Sequence, residues 1–135
     1  MEDTEFYGLV QEASHADTTD GAQIASEAVL ETLGETLTAG EAENVATLLP
    51  GELATHLENA DHDGSSYDRE AFVERVGERL REAELDSDEA ERYTQGVTDA
   101  LAAALTRNEL RDVKAQLDAG IHPLFEGVDI DRETV

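Results

Sequence analysis

The residues with the clearest spacing for chemistry form one acidic segment, Asn59-Ala60-Asp61-His62-Asp63-Gly64-Ser65-Ser66-Tyr67-Asp68-Arg69-Glu70. From Asn59 it follows the calcium-loop pattern D-x-[DN]-x-[DN]-G-x5-E, with Asn in place of the first Asp. In that pattern Asn59, Asp61 and Asp63 would offer side-chain oxygens at alternate positions. Gly64 would make the sharp turn, Ser65 would give its carbonyl, Tyr67 a water-mediated contact, and Glu70 would close the site with two oxygens. Ser66 departs from the pattern, since the eighth position is normally an apolar anchor. The competing reading is a solvated hinge with Glu70 as an early-helix acid. A chain with 33 acids throws up Asp-x-Asp-Gly runs by chance, so composition favours the hinge. No cofactor and no metal ligand set is therefore expected. Asn59, Asp61, Asp63 and Glu70 stand as the alternative site, with Ca2+ as its ion.

Other chemistry is thin. His15, His56, His62 and His122 include no His-x3-His pair and read as surface residues. Neither a nucleophile elbow, a phosphate-cradling glycine loop nor a dinucleotide fingerprint is present. Carboxylates are so numerous that any pair could be named acid and base, which makes the naming empty without a pocket to raise one pKa. No catalytic residues and no enzyme activity are expected.

The elements that would position such residues are helices. The chain has 135 residues, 9 basic and 33 acidic, for a net charge of −24. This length suits one domain of the commonest size, roughly 100–150 residues. There is no cysteine, which excludes disulfides, thiolate metal sites and a Cys nucleophile. The charge opposes phosphate backbones and anionic lipid, so neither nucleic acid nor membrane is expected as a partner. The longest apolar run, Ala100 to Leu105, is far short of the ~20 residues that span a bilayer. The acidic start Met1-Glu2-Asp3-Thr4-Glu5 is unlike the basic start of a secretory signal, and a cytoplasmic location is expected.

Eight of the nine basic residues are Arg and one, Lys114, is Lys. Acid excess with almost no Lys is the composition of proteins bathed in multimolar KCl, where the Debye length falls to ~3 Å or less. Short carboxylates would hold hydrated K+ at the surface, and a halophilic source is expected. An acidic DNA mimic is the rival explanation, but it needs carboxylates gathered on one face. Here they are spread over nearly every expected helix, among them Glu12, Glu27, Glu31, Glu43, Glu74, Glu91 and Asp112.

Residues 20–58 align with 88–126 at a constant shift of 68. The pairs include Ala22/Ala90, Val29/Val97, Leu33/Leu101, Leu37/Leu105, Thr38/Thr106, Glu41/Glu109, Val45/Val113 and Leu49/Leu117. Most are apolar and helically spaced, so shared structure explains them. The fold expected is all-α, about eight helices in two tandem four-helix repeats forming one bundle-like domain. The boundaries are 1–59 for the first repeat, 60–67 for an acidic linker, 68–127 for the second repeat and 128–135 for a frayed tail. Helices are expected at about 3–14, 21–37, 41–48, 50–59, 69–82, 87–105, 108–117 and 120–126. Phe6, Leu9, Val10 and Ala13 would face inward on the first, and Asp68 would cap the fifth. The core is light in aromatics, so the fold is expected to lean on high salt.

Three segments resemble a known family. Glu70-Ala71-Phe72-Val73-Glu74-Arg75-Val76-Gly77-Glu78-Arg79 is similar to "EEFLxRVAER", and Asn108 to Leu117 to "GEFEDVxAQLP". Gly40 to Pro50 is similar to "GEAxxxAxxLP" and Leu124-Phe125 to a terminal "LF". Together they resemble the two-repeat helical family catalogued as domain of unknown function 2267, over roughly residues 3–127. The second "LP" reads Leu117-Asp118, so that helix start is built differently. The resemblance implies an all-helical fold, a halophilic archaeal source and no known catalytic residues. The function expected is a non-catalytic helical module acting through a protein partner or self-association. The apolar pairs Leu53/Ile121 and Leu57/Phe125, near each repeat's end, are expected to close each unit's own core; the alternative is a groove between the repeats where a helix or second copy docks.

Overall fold

The structure is a computed structural model, and it describes residues 3–14, 18–49, 51–58, 67–85, 87–117 and 121–122. They form α1 (Asp3–Ser14), α2 (Thr19–Thr36), α3 (Ala39–Ala46), α4 (Gly51–Glu58), α5 (Arg69–Glu82), α6 (Ala90–Ala104) and α7 (Arg107–Gln116). A 3-10 turn, Ser87–Glu89, leads into α6. No strand occurs among the described residues. The fold is all-helical, with seven α-helices there rather than the eight expected. The missing one is the last. Ile121 and His122 form a short 3-10 turn, and the rest of its span lies outside the described residues.

Helix ends are set by local chemistry. Thr18 accepts from the Gly21 backbone N–H and starts α2 ahead of the expected position, within what reads as a polar connector. Thr38 and Thr106 each form a capping box, with Glu41 and Glu109 reaching back to the cap N–H. These T-x-x-E boxes start α3 and α7 earlier than apolar spacing alone suggests. Asp68 caps α5 as expected, accepting from Ala71 N–H at 2.8 Å. Tyr67, just before that cap, meets Phe72 edge-on at 6.5 Å between ring centroids, a hydrophobic staple that fixes how the chain enters α5. At the other end Leu85 N–H returns to Leu80 C=O at 2.8 Å and Glu84 N–H to Arg81 C=O at 3.0 Å. This Schellman closure puts Glu84 at φ 65°, where glycine is usual.

The two long helices, α2 and α6, make the centre. Their seams (Ala22, Ala25, Val29, Leu33 and Leu37 in one; Ala90, Tyr93, Val97, Leu101 and Leu105 in the other) are buried as expected. The span of α2 shifted by 68 runs from 87 to 104, which is the 3-10 turn plus α6; α3 so shifted begins where α7 begins. Helix α1 lies most extensively against α6 and then against α2, whereas α5 packs on both α2 and α6. Helix α4 packs on α2 and α3. The buried apolar residues make one continuous core.

The inward face of α1 differs from expectation. Ala13 is exposed and Leu9 half-buried, while Tyr7 and Ser14 join Phe6 and Val10 inside. The reason is the crossing with α6. A Cβ added to Gly96 would stand 2.6 Å from Ser14 Cβ, so the backbones meet where only a small residue fits. Three buried hydroxyls are satisfied within their own helices: Ser14 donates to Val10 C=O at 2.6 Å, Ser26 to Ala22 C=O at 2.8 Å and Thr32 to Ala28 C=O at 2.7 Å.

Candidate functional site

Glu35 is the only carboxylate among the described residues that is buried. Glu31 and Glu35 are four apart on α2, and Arg75 and Arg79 are four apart on α5, so each pair stacks one turn above the other on one helix face. Where α2 and α5 meet, the two pairs face each other. Arg75 grips Glu35 with two parallel bonds, Nε to Oε1 at 3.1 Å and Nη2 to Oε2 at 3.0 Å. Arg79 Nη1 donates to the same Oε1 at 3.1 Å, and its Nε donates to Glu31 Oε2 at 3.1 Å. Arg75 Nη1 reaches Glu78 Oε2 at 2.8 Å, and Tyr67 OH donates to Glu35 Oε1 at 3.3 Å.

Both oxygens of Glu35 are thus engaged, and its side chain is only 9% exposed. Burial pushes its carboxyl up, but the hydrogen bonds and charges of Arg75 and Arg79 outweigh that and hold it below the ordinary range. The Glu35 hydrogen bond in turn holds Arg75 protonated more firmly than usual. A carboxylate so occupied has no lone pair aimed at a substrate proton and is a poor general base. What the cluster does chemically is fix α5 on α2 through charge-assisted, two-point contacts.

Of the expected ligands, Glu70 is exposed on the first turn of α5. Asn59, Asp61 and Asp63 lie outside the described residues. Among the described residues no group of three or more His, Asp or Glu is placed to hold a metal ion. His15 and His62 are also outside them. His56 and His122 are half-buried rather than on open surface: His56 Nε2 lies 3.2 Å from Glu27 Oε1 on α2, and His122 Nε2 lies 3.1 Å from Leu117 C=O. Leu53, Leu57 and Ile121 are fully buried and close the core, the first of the two readings given for these pairs, and do not line an open groove; Phe125 is not described.

Three hollows border these elements. A cleft of about 170 Å³ and mixed polar and apolar lining lies at the α3–α4 turn, bounded by Thr47, Leu48, Leu49, Leu101, Ala104 and Leu105 with Phe6. A second, of about 220 Å³, lies between α2 and α5 beside Glu27, Glu31, Arg79 and Glu82. These two are smaller than the roughly 300–1,000 Å³ typical of small-molecule sites; a third, of about 380 Å³ beside Val73, Glu74, Gly77, Glu78, Arg81 and Ala90, falls at the low end of that range. Among the described residues no helix is long and apolar enough to cross a membrane.

The sequence profile of a family described as "Uncharacterized conserved protein (DUF2267)" matches residues 3–124. The chain belongs to this family. No curated protein matches it. The DUF2267 match takes in every helix described and both sides of the Glu35 cluster. The segment 70–79, which carries one of the motif resemblances, supplies Arg75, Glu78 and Arg79.

Sequence reasoning missed this cluster. A signal was present: half of the eight arginines, Arg69, Arg75, Arg79 and Arg81, fall in α5. Their partners were not readable, because 33 acids offer no way to choose Glu35 before α2 and α5 are docked.

Proposed function

We propose that this DUF2267 chain is a non-catalytic helical module that works through contact with another protein in a salt-rich cytoplasm. The observation that carries the reading is the Glu35 cluster. The strongest electrostatic feature of the described residues is spent on holding two helices together, with its acid already saturated by Arg75, Arg79 and Tyr67. The surface feature suited to a partner is the mixed cleft beside the half-buried Leu48 and Leu49 and the exposed Thr47, which has room for one side chain. Two tandem repeats underlie the architecture on this reading, and the match of α2 with the 3-10 turn plus α6 at a shift of 68, the shared starts of α3 and α7 and the paired capping boxes at Thr38 and Thr106 support it.

The test is affinity capture in molar KCl with the wild-type chain and with Leu48→Glu, after checking that the variant keeps its helicity. A protein held by the wild type and lost by the variant is the expected result. Equal capture by both, or none above the bare resin, overturns the reading.

The salt-rich setting is argued from composition, 33 acids against 9 bases with a single Lys, and hydrated K+ would cover the surface. Circular dichroism over a KCl series is expected to show helicity lost as salt falls. Helicity unchanged down to about 50 mM, where the Debye length is well over 10 Å, overturns this part.

A further inference from the structure

We draw no further inference here: the strongest candidate, the 220 Å³ cleft between α2 and α5 bounded by Glu27, Glu31 and Glu82, is an acidic cluster beside an Arg79 already paired to Glu31 and Glu35, and no second feature of the structure points to a ligand there.

Discussion

Gly96 of α6 lies directly against Ser14 of α1, so close that a methyl group on Gly96 would sit 2.6 Å from Ser14 Cβ and 3.1 Å from its Cα. The neighbours are Ser14 Cβ and the backbone that carries it, which cannot swing aside as the end of a long side chain can. Gly96→Ala should therefore force α1 off α6 and destabilise the fold by about 1–3 kcal/mol, the usual range for overpacking. Alanine's better helix propensity returns up to about 1 kcal/mol of that. Denaturant melts in constant KCl will read the net effect, and an unchanged midpoint would show that the crossing is looser than described.

The Glu35 cluster predicts a pH effect with a definite sign. A carboxyl held below its unfolded pKa stabilises the fold above the unfolded value, and that contribution fades as pH falls through the folded one. The window thus opens near pH 4.5, the ordinary glutamate value, and extends to lower pH. Many acids titrate there together, so the wild type alone cannot isolate the contribution. Glu35→Gln keeps the shape and removes the titration. The stability gap between wild type and Glu35→Gln should be widest near neutrality and shrink in acid; a gap constant from pH 7 to pH 3 would remove Glu35 as its source.

Removing the carboxylate altogether should cost more. Glu35→Ala leaves Arg75 and Arg79 without their shared partner, although Glu78 and Glu31 still hold one contact each. Breaking a fully buried pair costs about 3–5 kcal/mol. Arg75 is 32% exposed here, and water can replace part of the loss, so about 2–3 kcal/mol is expected from chemical melts.

Glu84 offers a change in the opposite direction. Its φ of 65° is left-handed, a region that disfavours any residue with a Cβ. Glu84→Gly should raise stability by about 0.5–1 kcal/mol once glycine's greater unfolded-state freedom is subtracted. A lower melting temperature for the variant would count against the Schellman geometry.

The capping boxes predict a matched pair of effects. Thr38→Ala and Thr106→Ala should each cost about 1 kcal/mol, because each strands the same first-turn donors. Their sum should hold in the double variant within about 0.5 kcal/mol, as the two caps share no partner. Urea titration of the four proteins tests both statements.

How much was legible in the sequence depended on what kind of force set each feature. The apolar seams of α2 and α6 were readable residue by residue, since burial follows helical spacing: Val29, Leu33, Val97 and Leu101 are all inside. The Asp68 cap was readable because its signal is local. Thr38-Ala39-Gly40-Glu41 was equally local and marks in the sequence where the second helix ends and the third starts; what apolar spacing did not show is that Thr38/Glu41 and Thr106/Glu109 are capping boxes, which set α3 and α7 one or two residues earlier. Ala13 was misplaced because the α1 face is decided by where Gly96 lets α6 approach, a contact 82 positions away between Ser14 and Gly96. Glu35 was hidden for the same reason. Nothing in its neighbours on α2 distinguishes it from Glu31 until Arg75 and Arg79 arrive from α5.

The seat of α1 on α6 also bears on how the chain is made. Ser14 leaves the ribosome 82 residues ahead of Gly96, and at about 5–20 residues per second that is a delay of roughly 4–16 s. During that interval Phe6 and Val10 can find partial cover on α2 but not their main neighbour. Synthesis therefore has to pass α6 before α1 takes its final place, and a nascent chain stalled anywhere before α6 would present the apolar face of α1 with its largest docking surface missing.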